Sequence, residues 1–243
     1  MEKIDVVMVT YNRLDFTKLA IDNIINKGGV PVRFIFTDAG STDGTPEWLK
    51  ENFTGKDKDN IVITSNEKTP LGDNLTKAVP YIKSDPFMTT SEDQVSHQDN
   101  FIGKLVDILM NSPYWAIRPR LYKENPDLNE RLRNKIDEEY KIIKTSAMLC
   151  NYRLIKKKVL SVLGNEFHGH QKESRAFAGK LGRKLHGIAK DVIMVDLGEY
   201  PGRGYVKNNK PLNPLYIKYI NQYIETGHSI SWELDWRKQY LTS

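Results

Sequence analysis

Thr37-Asp38-Ala39-Gly40-Ser41-Thr42-Asp43-Gly44-Thr45 follows the apolar run Val32 to Phe36, and its reading decides the fold. A strand that ends in an acid and then a Gly-Ser-Thr-Asp-Gly turn presents a carboxylate at a sheet's carboxyl edge. Open α/β sheets bind nucleotides at that edge. Upstream, a second apolar run, Ile4 to Val9, ends in Thr10-Tyr11-Asn12-Arg13. Between and after these runs the chain alternates strand and helix patterns. Strand 4–10 precedes a helix over 14–27, with Phe16, Leu19, Ala20, Ile24 and Ile25 at helical spacing and Gly28-Gly29 to end it. Strand 32–37 leads to a helix over 45–53, with Thr45 as N-cap and Pro46 at the first helical position. Strand 61–65, a helix over 72–83 and the short apolar run Pro86 to Met88 complete the first part. Such alternation predicts an α/β fold with a mainly parallel sheet and helices on both faces.

The second part is less regular. It reads as helix 98–111, strand 114–117, a charged loop or helix over 124–139, strand 145–150 and helix 153–163. A helix over 171–187, strand 191–196 and helix 214–225 follow, the last opened by Asn213-Pro214. With no repeat and no long linker, the expectation is one domain over 1–243, with a nucleotide-binding half at 1–95 and an acceptor half with its tail at 96–243.

The two strand-end motifs, in this order and spacing, resemble the start of family 2 glycosyltransferases with the GT-A fold, a Rossmann-like sheet of mostly parallel central strands flanked by helices. The resemblance implies that Thr10 and Tyr11 border a nucleotide base, with Arg13 in the same donor-binding loop, and that Asp38 accepts a hydrogen bond from base or ribose. An acceptor reads a base N–H and an aromatic ring covers a base face, so the residue types agree. A core aromatic is the other reading of Tyr11. Asp43 is expected to hold the turn through its backbone contacts. Asn66 to Leu75 resembles the family's segment beside the diphosphate, which would place Gly72 and Asn74 there. Asp73 stands where the family often has arginine, and Asn74 reads equally as an ordinary helix residue.

Met88-Thr89-Thr90-Ser91-Glu92-Asp93-Gln94 sits where the family has Asp-x-Asp. The resemblance implies Asp93 as ligand of Mn²⁺ or Mg²⁺, with Ser91 in place of the first acid and Glu92 as a possible helper at the donor site. A diphosphate leaving group needs such a cation to offset its charge. The alternative is a solvated acidic pair. In Gly164 to Arg175 the resemblance places Glu173-Ser174 at the family's acidic pair, with Lys180-Leu181 and Gly187 echoing the sequence that follows it. Glu173 is then the general base that takes the acceptor's proton, and His170 competes for the role. His168 and His170 also have metal-binding character. Arg203, between Gly202 and Gly204, suits a lid over the diphosphate or an ordinary loop. Trp232 and Trp236 suit stacking on a sugar or base, or packing of a terminal helix.

The implied function is metal-assisted, inverting transfer of a hexosyl or pentosyl group from a nucleoside diphosphate sugar, UDP-linked first, to a hydroxyl. A net charge of +5 favours phosphates or nucleic acid, so a hydroxymethylated base in DNA is the first acceptor considered, with saccharides next. The same charge describes a solvated Lys-rich surface. A nucleotidyltransferase would want a Gly-rich phosphate loop near the amino terminus, and Thr10-Tyr11-Asn12-Arg13 is not one. A non-catalytic sugar or nucleic-acid binding module is the remaining class, given serine at 91 and 174. One cysteine, Cys150, excludes an internal disulfide and reads as a buried thiol in a reducing compartment. No apolar run approaches the ~20 residues of a membrane span, and no signal peptide is read. The expectation is therefore a soluble, cytoplasmic protein.

Overall fold

The computed structural model describes residues 2–55, 59–96, 98–121, 135–144, 153–164, 167 and 186–196, all within one compact unit, Met1–Asp196. Seven residues from Ile4 to Thr10 form β1, and every one of them is buried. A strand buried on both faces must be covered on both. Val6 and Met8 pack under α1 (Leu14–Lys27), α2 (Thr45–Phe53) and α4 (Phe101–Met110), through Ile21, Ile24, Leu49, Phe101 and Leu105. Val7 and Val9 point the other way, into a layer made by α3 (Leu71–Ala78) and α5 (Lys158–Leu163). The result is a helix–sheet–helix sandwich.

Four strands, β3 (Ile61–Thr64), β2 (Val32–Asp38), β1 and β4 (Phe87–Ser91), lie side by side and parallel. Their register aligns Thr10 with Asp38, Asp38 with Thr64, and Val9 with Ser91. The polar ends of successive strands therefore meet at one edge. Past β4 the sheet is mixed. β9 (Arg153–Ile155) runs antiparallel to both β4 and β6 (Ala116–Leu121), β10 (His186–Asp196) runs parallel to β6, and the hairpin β7 (Ile136–Asp137) and β8 (Ile142–Lys144) closes that edge. The short β5 (Gln94–Val95) pairs with the far end of β10. Ser96 Oγ donates to the Ile193 carbonyl and Gln98 Oε1 accepts from Ile193 N–H, so the segment that follows β5 is pinned to β10.

Several boundaries differ from the sequence reading. Helix 72–83 stops at Ala78 and tightens into a 3-10 turn over Val79–Tyr81, because Pro80 has no N–H to continue an α-helix. Thr45 is the first residue of α2, not its cap; Gly44 caps it, and Thr45 Oγ1 donates to Asp43. The expected helix 153–163 divides into β9 and α5, since Arg153 to Ile155 are claimed by pairing with β4 and β6. Within the span 124–139, Ile136 and Asp137 are strand. Residues 186–187 belong to β10 rather than to a helix, and Gly187 serves packing there: a Cβ would meet Ile142 Cγ2 at 2.2 Å. Ile25 is exposed, outside the apolar stripe of α1. Strand 145–150, helix 214–225 and Cys150 lie outside the described residues.

Candidate functional site

The loop after β1 and the turn after β2 are knitted together by short polar side chains. Asn12 takes a left-handed conformation, φ +50, which asparagine tolerates better than most residues. Its N–H donates to Ser41 Oγ at 2.9 Å, and its Oδ1 accepts from Thr42 N–H at 2.7 Å. Asp43 Oδ2 accepts the Leu14 N–H at the start of α1, and Oδ1 accepts from Thr45, so Asp43 braces two helix starts, as a turn-holding role requires. Gly40, at φ +88, lets the loop over 65–70 lie against the turn; a Cβ there would meet the Glu67 carbonyl at 2.5 Å.

Asp38 sits at the centre of this junction, fully buried. Oδ1 accepts from Gly40 N–H (3.0 Å) and Ser41 N–H (2.8 Å); Oδ2 accepts from Thr10 Oγ1 (2.8 Å) and Ser41 Oγ (2.5 Å). A carboxylate offers about four acceptor positions. All four are filled, so Asp38 organises the turn, and a contact with base or ribose requires the Ser41 hydroxyl to turn away. Thr10 is likewise buried and spent on Asp38. Tyr11, in contrast, is half-exposed, which sets aside the core-aromatic reading. Lys68 Nζ lies 4.8 Å from its ring centroid.

Asn74 and Gly72, expected beside a diphosphate, are both buried in α3. Asn74 Nδ2 donates to Thr69 Oγ1 at 2.7 Å and to the Pro70 carbonyl at 2.9 Å. Through Nδ2, Asn74 thus fixes the loop in front of α3, while its buried Oδ1 has no hydrogen-bond partner.

The turn after β4 carries the acids. Asp93 Oδ1 accepts the Ser91 hydroxyl at 2.6 Å, and Asp93 Oδ2 receives Arg13 Nη1 at 2.8 Å. The same Nη1 is 3.7 Å from Glu92 Oε1. Arg13 therefore meets the acidic pair directly, where the sequence reading gave it a donor-binding role. Glu92 is 7% exposed, and burial first, then the neighbouring Asp93 charge, pushes its carboxyl up to about 8 against the opposing pull of Arg13. Among the described residues no three His, Cys, Asp or Glu side chains converge on one point. Asp93 with the Ser91 hydroxyl nonetheless fits Mg²⁺ or Mn²⁺, which take one or two carboxylates and fill the rest of their shell from phosphate oxygens and water.

Of residues 164–175, Gly164 and Phe167 are described. Phe167 is buried beside Leu75 and Ala78, and its N–H donates to Thr76 Oγ1 at 2.8 Å, which ties it to α3. Glu173, His170, His168, Ser174, Arg203, Trp232 and Trp236 lie outside the described residues. Two participants escaped the sequence reading. The hydroxyl of Ser41 had a signal, its place in the turn motif; Lys68 over Tyr11 had none.

Comparison with known proteins bears on this edge. The family model "Glycosyl transferase family 2" matches residues 5–168. No curated protein is similar in sequence. Among solved structures, a mannosyltransferase from Pyrobaculum calidifontis in complex with GDP-Man and Mn²⁺ superimposes with a TM-score of 0.65 at 17% identity, covering 92% of this chain and 70% of its own. S. aureus TarS in complex with UDP-GlcNAc gives 0.60 at 12% identity over 80% of this chain and 58% of that one. Glucosyl-3-phosphoglycerate synthase from Mycobacterium tuberculosis, in complex with phosphoglyceric acid, gives 0.54 at 16% over 80% and 70%. At such identities the superpositions establish the shared fold. The helices of the described residues include none long and apolar enough to cross a membrane. The family match, spanning β1 through the acidic turn and on to the acceptor stretch, makes this chain a member of glycosyl transferase family 2, with the GT-A fold.

Proposed function

We propose that the protein is an inverting hexosyl- or pentosyltransferase that takes sugar from a nucleoside diphosphate sugar, UDP-linked first, and delivers it to a carbohydrate-type hydroxyl. The observation that carries this reading is the convergence of Tyr11, the Asp38 turn and Asp93 at one sheet edge, on adjacent strands β2, β1 and β4. In this reading residues 1–95 hold the donor and the acceptor half begins at 96. Tyr11 covers the base, and the Thr10–Asp38–Ser41 junction keeps the strand ends rigid beneath it. Asp93, with Ser91 beside it, holds Mg²⁺ or Mn²⁺. A bound divalent cation would offset the charge that develops on the departing diphosphate.

Glu173 takes the proton of the attacking hydroxyl, with His170 as its competitor, and Arg203 adds positive charge over the diphosphate. The resemblance of Gly164 to Arg175 supports these roles, as does the anchoring of Phe167 on α3. A saccharide acceptor is favoured over a hydroxymethylated base in DNA. The solved relatives are named for sugar transfer or for a phosphoglyceric acid ligand, whereas DNA rests on the net charge of +5. A cytoplasmic place rests on the single cysteine.

The test is nucleoside diphosphate release from a panel of UDP- and GDP-sugars with Mn²⁺, using the full chain. One donor is expected to be turned over, faster with an oligosaccharide than with duplex DNA, and NMR of the product is expected to show the inverted anomer. Nucleotide-sugar binding without turnover on any acceptor would leave the non-catalytic module.

A further inference from the structure

We propose that Arg13 is an exchangeable internal cation: its guanidinium neutralises Asp93 while no donor is bound and gives up Asp93 Oδ2 when the donor's divalent cation arrives. The proposal rests on the metal reading above and adds a residue and a step to it. Arg13 is the N-cap of α1, with φ −151 and ψ 57, and its carbonyl accepts from Thr17 N–H and Thr17 Oγ1 at 2.9 Å. Its main chain is thus held by α1 while its side chain crosses to a turn eighty residues further on. The Arg13 and Asp93 side chains are 17% and 18% exposed, which leaves the pair desolvated enough to matter and open enough for a ligand to reach.

Electrostatics explains why the pair forms. Asp38, Glu92 and Asp93 crowd one edge, and the Arg13 guanidinium bonds to the acidic turn. Both oxygens of Asp93 are engaged, Oδ1 by Ser91 and Oδ2 by Arg13. A guanidinium and a divalent ion on the same oxygen repel each other strongly in a partly buried site. One must leave. The guanidinium is on a long, flexible stem, and its planar fork suits phosphate oxygens as well as carboxylate. On release, Arg13 is positioned to follow the diphosphate that brings the cation in. Charge at the edge then stays balanced in both states, and the cation binds weakly until nucleotide accompanies it.

The test is titration of Mn²⁺ alone, followed by the electron paramagnetic resonance signal of free Mn²⁺, into wild type, Arg13→Met and Arg13→Lys. Methionine keeps an unbranched stem of similar length and removes both the charge and the guanidinium's place 5.9 Å from the Phe16 ring centroid. Without nucleotide, Arg13→Met is expected to bind Mn²⁺ about tenfold more tightly, the loss of one partly exposed ion pair as competitor. Arg13→Lys is expected to fall between the two and carries the test if the methionine variant does not fold. The gain should vanish in Arg13→Met combined with Asp93→Asn. With UDP or GDP present the order should reverse, Arg13→Met holding the Mn²⁺–nucleotide less tightly than wild type. Unchanged or weaker Mn²⁺ affinity in the single variants, with wild type still taking Mn²⁺ alongside nucleotide, overturns the exchange and leaves the metal reading standing. Wild type that takes no Mn²⁺ even with nucleotide overturns both.

Discussion

Thr10 and Asp38 are register partners at the ends of β1 and β2, and the Thr10 hydroxyl donates to Asp38 Oδ2 at 2.8 Å. That bond, with three more from Gly40 and Ser41, turns a carboxylate at a ligand-binding edge into a structural pin. Asp38→Ala leaves four donors without an acceptor and is expected to cost roughly 3 kcal/mol. Asp38→Asn is expected to be milder, since its oxygen can face the two N–H groups and its NH₂ the two hydroxyls. Urea unfolding midpoints order the variants. If Asp38→Asn folds at wild-type stability yet loses nucleotide affinity, direct base recognition takes precedence over the pin.

Tyr11 is the aromatic surface available at this edge, with Lys68 Nζ 4.8 Å from its centroid. A base stacked on the ring gains about 1–3 kcal/mol by alanine substitution in comparable sites. Tyr11→Ala is therefore expected to weaken UDP or GDP binding at least about tenfold, while Tyr11→Phe binds normally. Calorimetric titration reads both. Equal affinity in Tyr11→Ala and wild type rejects the stack.

Away from the site, Asp5 and Arg33 form a buried ion pair across β1 and β2, Nε to Oδ1 at 2.7 Å. Burial pushes the Asp5 carboxyl up, but the Arg33 hydrogen bond, the N–H groups of Ser84 and Lys83 and the Arg33 charge outweigh it, and the net shift is downward from 3.8. The folded state thus releases this proton more readily than the unfolded chain. The stability it contributes is fully present above the unfolded value and is lost as pH falls through the lower folded value. Asp5→Asn is expected to flatten the fall in urea midpoint between about pH 5 and pH 2. Asp5→Ala, which strands Arg33, is expected to cost about 3–5 kcal/mol at neutral pH. An unchanged acid limb in Asp5→Asn would falsify the assignment.

The parallel half was legible because its signals are local. Ile4 to Thr10 and Val32 to Asp38 are apolar on both faces, and Gly44-Thr45-Pro46 marks the start of α2. The mixed half was not, because its elements are chosen by distant partners. Arg153-Leu154-Ile155 carries a pattern that a helix also satisfies, and only its place between β4 and β6 makes it a strand. The site divides in the same way. The places of Asp93 just past β4 and of Tyr11 just past β1 were legible from the strand patterns. The bonds that decide what those groups do were not: Arg13 to Asp93 spans eighty residues, and the filling of Asp38 by Ser41 depends on a side-chain orientation that no spacing encodes.

Asp93 is the more exposed carboxylate of the acidic turn, its side chain 18% exposed against 9% for Glu92. Asp93→Ala is expected to fold, since the side chain is partly exposed, and to reduce Mn²⁺-supported transfer by at least about a hundredfold, the scale on which a principal electrostatic partner acts. Chelation of wild type is expected to reproduce that loss. Undiminished transfer in excess chelator rejects the metal reading.

Thr76 and Phe167, ninety-one residues apart, are bonded to each other. Thr76 Oγ1 receives the Phe167 N–H at 2.8 Å and returns a longer bond of 3.4 Å to the Phe167 carbonyl. The ring is buried with Leu75, Ala78, Val159 and Leu160. Two effects are separable here. Phe167→Ala opens a cavity between α3 and α5 and is expected to destabilise by about 3–5 kcal/mol. Thr76→Val keeps the volume and removes both bonds, leaving the Phe167 N–H buried and unpaired, for a smaller loss of about 1–3 kcal/mol. The donor edge does not touch this tether, so nucleotide affinity in Thr76→Val is expected to stay at the wild-type level. Where the segment after Phe167 serves the acceptor, as proposed, the KM for acceptor is expected to rise while the KM for donor does not. Steady-state kinetics with each substrate varied in turn separates the two. A rise confined to the donor KM would mean that the stretch after Phe167 serves the nucleotide instead.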